Sequence, residues 1–427
     1  MEIDCLAVGI GNITPDGLFD GSPAAWNQIL WRFSSSLYDV APVEIFFNEF
    51  YYPGLLSDIV AGKRPKATQD IAQRDRHQPE VRVSLANSRS STNKVNTRIA
   101  TVKIEVANGL AGAQDVRLFR NGSLVNVWRG DVLKGRARAT IEATVPVVYG
   151  ENRLTAYAFN RDNIKSADAT LIVNGDESLR RKGTSYVVAV GINSYANPDY
   201  NLKFAVADAR IFGEEWRRQQ QKLGRYARTE VSYLFDKDAT KAQVLQSLTQ
   251  VATRVQPEDV VVVYFAGHGT AQQSQFYLIP HNLGYRGNRQ KLDRLGLQTI
   301  LQHSISDREL ERAFEKIDAG QFLLVIDACN SGQALEAEEK RRGPMNSKGL
   351  AQLAYEKGMY ILTAAQSYQA AQEAARLGHG YLTFVLVEEG LKQDKADQGA
   401  ERRSSVGVGV VRSRDKTSAS DARGDDD

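Results

Sequence analysis

Two short stretches hold residue types suited to nucleophilic chemistry. VVVYFAGHGT carries four valines, Val260 to Val263, through Tyr264, Phe265 and Ala266 and ends on Gly267-His268-Gly269. FLLVIDACNSG carries an apolar run into Asp327, Ala328 and Cys329 and ends on Asn330-Ser331-Gly332. Each run reads as a strand buried on both faces, the kind found inside a parallel sheet. Open α/β sheets place their chemistry at the carboxyl ends of such strands. If the two strands are neighbours, His268 and Cys329 face each other across one strand spacing, roughly 5 Å. That geometry suits a cysteine nucleophile whose thiol is deprotonated or steered by an imidazole. Peptide hydrolysis also needs donors aimed at the developing oxyanion, and the backbone N–H groups of Gly269 and Cys329 are the natural candidates. The glycines are expected to let the chain turn and another group approach. A cysteine at a strand end is by itself more often a small buried hydrophobe. Only the pair, at matching strand ends, raises the functional reading.

The other histidines are weaker candidates. Gly378-His379-Gly380 repeats the tripeptide but follows no buried strand and precedes an apolar helical pattern, so it reads as a helix-entry turn. His281 and His303 fall in expected loops without a visible partner, and His77 falls in a polar linker.

Four zones must position these residues. Residues 1–78 hold an expected helix, SPAAWNQILWRFSSSLYD, with Ser22 as N-cap and Pro23 at its first position. No chemistry is assigned to this zone. Residues 79–178 alternate apolar and polar positions in short runs, separated by turn signals such as Asn121-Gly122, and predict an all-β sandwich. Such a module is usually a spacer or interaction unit, so a protein partner is expected through it. Residues 179–392 alternate strand and helix, with capping boxes at Thr240–Gln243 and Ser306–Glu309, and predict a mainly parallel α/β sheet flanked by helices on both faces. Residues 393–427 are polar, lack a sustained apolar period, and read as a disordered tail.

The bulk numbers exclude several classes. The 427 residues are 42% apolar and 25% charged, with 54 basic and 51 acidic side chains and a net charge of +3. Nothing there is a nucleic-acid footprint. Cys5 and Cys329 are the only cysteines, too few for a disulfide framework or a cysteine zinc site, so a reducing, cytoplasmic compartment is expected. No apolar stretch approaches the roughly 20 residues needed to span a bilayer, and no membrane contact is expected. MEIDCLAVGIGN places acids where an export signal has bases. Its abrupt apolar start is also what a piece of a longer protein would show. GINSYANPDY stands where a nucleotide-binding domain would have its glycine-rich turn, which ranks that function low.

AGHG and DACNSG, each after an apolar strand, together resemble the caspase-like cysteine peptidases, closest to the metacaspases and bacterial orthocaspases. The resemblance covers about residues 180–390. The β-rich segment ahead of it resembles the immunoglobulin-like spacer that precedes some bacterial caspase-like domains. The resemblance implies His268 as general base or acid and Cys329 as nucleophile. Caspases have glutamine before Ala-Cys, whereas Asp327 stands there in this chain. In metacaspases the matching aspartate lines the primary specificity pocket with a second one, which here is Asp208 in FAVADAR. Two carboxylates around one guanidinium allow charge-assisted, bidentate bonding, so cleavage after Arg, then Lys, of protein or peptide substrates is implied. Self-cleavage is implied in EAEEKRRGPMNSKG, with Lys340, Arg341 and Arg342 as candidates. Three features depart from the family. Asn330 stands where metacaspases often have histidine. QALEAEEKRRGP does not match the acidic calcium cluster, so no cofactor or metal is expected. The tail differs from the family's continuation. The alternative, a catalytically inactive caspase-like scaffold, is disfavoured because His268 and Cys329 are both retained.

Overall fold

A computed structural model describes residues 11–21, 26, 28–60, 62–86, 93–107, 111–272, 275–330, 351, 354–355, 357–364, 378–392 and 408–411. Near the start, β1 (Gly11–Ile13) pairs with β2 (Phe19–Gly21), and β3 (Leu30–Arg32) pairs with β4 (Val40–Pro42). Within the span expected as a helix, residues 22–39, Trp26 is helical but residues 28–39 are not. Ser22 and Pro23 lie outside the described residues, and residues 30–32 are extended and paired with residues 40–42. The cause is local. The Ser34 hydroxyl accepts from the N–H of Ser36 at 3.2 Å and the Ser36 hydroxyl from that of Tyr38 at 3.3 Å. Such serine-to-backbone bonds offer the chain an alternative to helix. Two short helices follow, α1 (Phe47–Phe50) and α2 (Leu55–Val60).

The β zone forms two sheets. The strands are β5 (Glu80–Leu85), β6 (Lys94–Val95), β7 (Ile99–Ala107), β8 (Gln114–Arg120), β9 (Ser123–Asp131), β10 (Arg138–Pro146), β11 (Gly150–Phe159) and β12 (Ala169–Gly175). Their orders are β10-β7-β5 and β6-β12-β11-β8-β9. Val102, Ile104 and Val106 of the first sheet share one core with Val116, Leu118, Leu154 and Ala156 of the second, so the sheets face each other. Asn121 and Gly122, at φ of 50° and 82°, make the tight β8–β9 turn that their sequence signals.

The remaining elements build one large sheet. They are β13 (Thr184–Gly191), α3 (Ala205–Leu223), β14 (Arg228–Phe235), α4 (Lys241–Arg254), β15 (Val260–Gln272), β16 (Gln275–Ile279), α5 (Arg294–His303), β17 (Ile305–Ser306), α6 (Asp307–Glu315), β18 (Gln321–Asn330), β19 (Tyr360–Ala364), α7 (Tyr381–Phe384) and β20 (Val408–Val411). The order is β14-β13-β15-β18-β19-β20, with every neighbouring pair parallel except β19–β20. Val261 and Val263 of β15 point to the face covered by Val244 and Leu248 of α4 and Leu310 and Phe314 of α6. Val260 and Val262 point to the other face, against Ala209 and Phe212 of α3 and Leu382 of α7. Helices therefore cover both faces, as the alternating pattern requires. The Ser306–Glu309 capping box forms as read, and Thr240 accepts the Gln243 N–H at 3.3 Å.

Two details depart from the sequence reading. Strand β15 does not turn at Gly267-His268-Gly269 but runs on to Gln272 and folds back as β16. Neither glycine has a positive φ. They serve close approach instead, since a Cβ on Gly267 would lie 3.0 Å from the Tyr195 hydroxyl and one on Gly269 2.9 Å from the Phe276 ring. In the tail read as disordered, Val408–Val411 forms β20, antiparallel to β19. No helix among the described residues is long and apolar enough to cross a membrane.

The N-terminal zones are joined to the large sheet. Trp26 and Phe47 pack on Tyr355, with ring centroids 4.9 and 5.2 Å away. Arg98 pairs with Glu258 at 2.6 Å and Arg120 with Asp318 at 2.7 Å. The buried Lys357 ammonium donates to the carbonyls of Leu124, Glu315 and Ile317 at 2.8, 2.7 and 3.1 Å.

Candidate active site

The valine strand and the FLLVIDAC strand are direct neighbours in parallel register, and His268 is the register partner of Cys329. The two main chains thus run one strand spacing apart at these positions, roughly 5 Å. Gly269, the other expected oxyanion donor, is in register with Asn330. The side chains of Cys329 and Asn330 lie outside the described residues, as do Lys340, Arg341 and Arg342.

The His268 ring is 2% exposed. Its Nε2 lies 2.8 Å from the Tyr200 carbonyl oxygen. A carbonyl only accepts, so Nε2 carries the proton and Nδ1 is the basic nitrogen. Nδ1 is buried and has no hydrogen-bond partner among the described residues. Burial pushes the imidazole down to about 4, against the opposing pull of the Tyr200 carbonyl and with help from the Arg289 charge. The ring is therefore a neutral base at physiological pH.

Its supports come from the loop after β13. The Tyr195 hydroxyl accepts the His268 N–H at 2.8 Å, and the Tyr195 ring lies 5.1 Å from the imidazole. The Asn201 side chain accepts the Tyr195 N–H at 2.9 Å, and Asp236 accepts the N–H groups of Asn193 and Ser194 at 2.8 and 2.7 Å. Sequence reasoning used GINSYANPDY only to set aside nucleotide binding. No local pattern marks Tyr195 or Tyr200 as the holders of a histidine some seventy residues away.

Asp208 on α3 and Asp327 on β18 are brought together. Both are buried, 3% and 9% exposed. The carboxylate oxygens of both lie within 3.0 Å of where a Cβ on Gly380 would sit. Asp208 accepts from the Gly380 N–H and from His379 Nδ1, each at 2.9 Å. Asp327 accepts from the Thr383 hydroxyl at 2.6 Å, and Thr383 in turn accepts from the Tyr264 hydroxyl, which lies 3.4 Å from the same Asp327 oxygen. Burial first, and the Asp327 charge second, push Asp208 up to about 6. Burial also raises Asp327.

The remaining histidines lie elsewhere. His281 Nδ1 donates to the Ser194 carbonyl at 2.6 Å. His303 is not in a loop but closes α5, with Nδ1 2.9 Å from the Thr299 carbonyl. His77 is exposed and paired with Asp75 at 2.6 Å. His379 does enter α7 as its turn reading required, but its contact with Asp208 had no sequence signal. Among the described residues no cluster of three or more His, Cys, Asp or Glu could hold a metal.

Comparison with known proteins agrees with this architecture. Residues 184–401 match the family described as Caspase domain. A search of curated proteins gave no match. Among solved structures, the chain is similar to a structural-genomics protein from Geobacter sulfurreducens at 13% identity, over 43% of this chain and 73% of that one, with a TM-score of 0.29. It is also similar to fibronectin(III)-like modules of CbhA from Clostridium thermocellum at 14% identity, over 22% of this chain and 99% of that one, with a TM-score of 0.17. A CARDB domain from Pyrococcus furiosus matches at 19% identity, over 23% of this chain and 94% of that one, with a TM-score of 0.17. None of these three structural likenesses bears on the argument. The family match spans half of the 427 residues, including the strands that bear His268, Cys329 and Asp327 and the helix that bears Asp208, and the chain belongs to the caspase-domain family.

Proposed function

We propose that this chain is a cysteine endopeptidase that cleaves after arginine or lysine through a His268–Cys329 dyad. The observation that supports it most is the register of β15 on β18, which pairs His268 with Cys329. In the reaction the Cys329 thiol gives its proton to Nδ1 of His268, and the thiolate attacks the scissile carbonyl carbon. The N–H groups of Gly269 and Cys329 receive the oxyanion. Collapse of the tetrahedral intermediate breaks the C–N bond as His268 returns its proton to the leaving amine. Water then adds to the thioester, with His268 as base, and releases the acid and the thiol. Asp208 and Asp327 receive the basic side chain that precedes the cleaved bond. The buried carboxylates, which raise each other's cost of ionisation, favour a cation at that position. Lys340, Arg341 and Arg342 are basic residues in the stretch after Cys329 and meet the same preference, so self-cleavage there belongs to this reading.

The test is turnover of fluorogenic peptides ending in Arg, Lys or Asp by the wild type and by Cys329→Ala. The expected result is Arg above Lys, no Asp cleavage, and a loss of roughly 10³-fold or more in the variant. Cleavage of the Asp peptide alone contradicts the specificity, and full activity of Cys329→Ala contradicts the mechanism. Mass spectrometry of the purified active protein checks self-cleavage, for which an intact chain is the contrary result.

A further inference from the structure

The second Gly-His-Gly copy sits on the acid pair, and this placement has a consequence for specificity. One continuous turn and helix start, residues 378–383, supplies donors to both carboxylates. His379 Nδ1 and the Gly380 N–H take the two oxygens of Asp208, and the Thr383 hydroxyl takes Asp327. Gly380 has no room for a side chain, because a Cβ there would lie 2.6 Å from an Asp327 oxygen and 3.0 Å from an Asp208 oxygen. The groups facing Asp208 are Asp327 from β18, Tyr264 from β15, and His379 and Gly380 from the turn before α7. Of these, only His379 can bring a positive charge. Its side chain is 24% exposed while that of Asp208 is 4% exposed, so the ring stands between the carboxylate and solvent.

We infer that His379 is a positioning residue for recognition of basic side chains: it acts through Asp208, holding that carboxylate in place and ionised beside Asp327. The inference rests on the acid pair being the basic-side-chain receptor and adds a residue that the reading does not contain. Two like charges buried together repel, and each needs fixed donors to keep its orientation. A partner that fixes the orientation of a binding carboxylate sharpens the geometry offered to a planar guanidinium. Both the hydrogen bond and the charge of His379 oppose the burial that raises Asp208.

The experiment uses the full chain carrying Cys329→Ala, which removes both chemistry and self-cleavage. Fluorescence anisotropy reports binding of a labelled peptide ending in arginine, and of its neutral citrulline counterpart, from pH 5 to pH 8. With His379 present, the arginine peptide is expected to bind more tightly. Adding His379→Ala is expected to weaken arginine binding about tenfold, the worth of one charged hydrogen bond. The midpoint of its pH onset should move upward, because Asp208 loses a group that favours its ionised form. Citrulline binding should change less than about twofold, a loss expected of a neutral ligand that gains little from an ionised carboxylate. His379→Asn, whose amide N–H can stand near the Nδ1 position, should restore most of the loss. Unchanged or tighter arginine binding in His379→Ala, an unmoved midpoint, an equal loss for citrulline, or no rescue by asparagine overturns the inference. If the protein with His379 intact does not distinguish the two peptides, the acid-pair reading itself fails and takes this inference with it. Discrimination that His379→Ala leaves untouched overturns the inference alone.

Discussion

Asp208 and His268 are pushed in opposite directions by the same force. Burial disfavours the charged form of each, so the carboxyl rises to about 6 and the imidazole falls to about 4. For Asp208 the consequence follows from the proposed function. Only the ionised form attracts a guanidinium, so kcat/KM for an arginine peptide should fall as pH drops below about 6, while that for a citrulline peptide should not show this limb. A pH profile with both peptides checks it, and coincident limbs would count against the acid pair. For His268 the consequence is stability. The unfolded chain takes up a proton near 6.5 that the folded ring refuses until about 4, so stability is intact above 6.5 and is lost as pH falls toward 4. That window carries about 3 kcal/mol for the full shift. Asp208 acts in the opposite sense: its folded form holds a proton that the unfolded chain has released, so its contribution is present below 3.8 and lost as pH rises through 6. Denaturant unfolding of His268→Gln and Asp208→Asn at pH 4.5 and pH 7 should therefore shift the pH dependence of stability in opposite directions. Shifts of the same sign would contradict the burial argument.

The strands that bear His268 and Cys329 were legible because they are buried on both faces and must be apolar throughout. Val260 to Val263 and Phe322 to Ile326 admit few other readings. What was misread depends on backbone bonds and strand partners that the apolar pattern does not show. Trp26 is helical, but Leu30, Phe33 and Leu37, which continue its helical spacing, are not, because Ser34 and Ser36 bond the backbone and β3 pairs with β4. Val408–Val411 is too short to signal a strand without β19 beside it. Gly267 and Gly269 looked like turn residues and are packing residues. That last point makes a prediction. Gly269→Ala places a Cβ 2.9 Å from the Phe276 ring, so β15 and β16 must part locally at the register partner of Asn330. A stability loss of about 1–3 kcal/mol is expected from such overpacking, with a larger loss of turnover than of stability. Undiminished turnover would mean that the β15–β18 edge is not where peptide is cleaved. The site was legible in part. His268 and Cys329 could be paired from strand ends, and Asp208 and Asp327 from the family resemblance. Tyr195, Tyr200, Tyr264, Thr383 and His379 could not, because each acts on a residue more than fifty positions away and no strand end or family motif marks it.

Over the whole molecule, the sandwich and the first zone are fastened to the large sheet rather than strung beside it. Arg120 of β8 is 2% exposed and meets Asp318, just ahead of β18, through two hydrogen bonds of 2.9 and 2.7 Å. Lys357, just ahead of β19, is held by three carbonyls, one of them from the sandwich. These ties bracket the segment after Cys329 on both sides. Breaking one by Asp318→Ala leaves a buried guanidinium unpaired and should cost about 3 kcal/mol. A single denaturation transition that shifts as a whole would show that the units unfold together, whereas a separate early transition of the sandwich would show that they do not. The most direct measurement of the whole account is a kinetic cycle on an arginine peptide with Cys329→Ala, His268→Ala and the double variant. If the two residues act as one unit, each single change costs roughly 10³-fold or more and the double variant is no slower than the worse single one. Independent, multiplying losses, or a Cys329→Ala enzyme that still turns over, would contradict it.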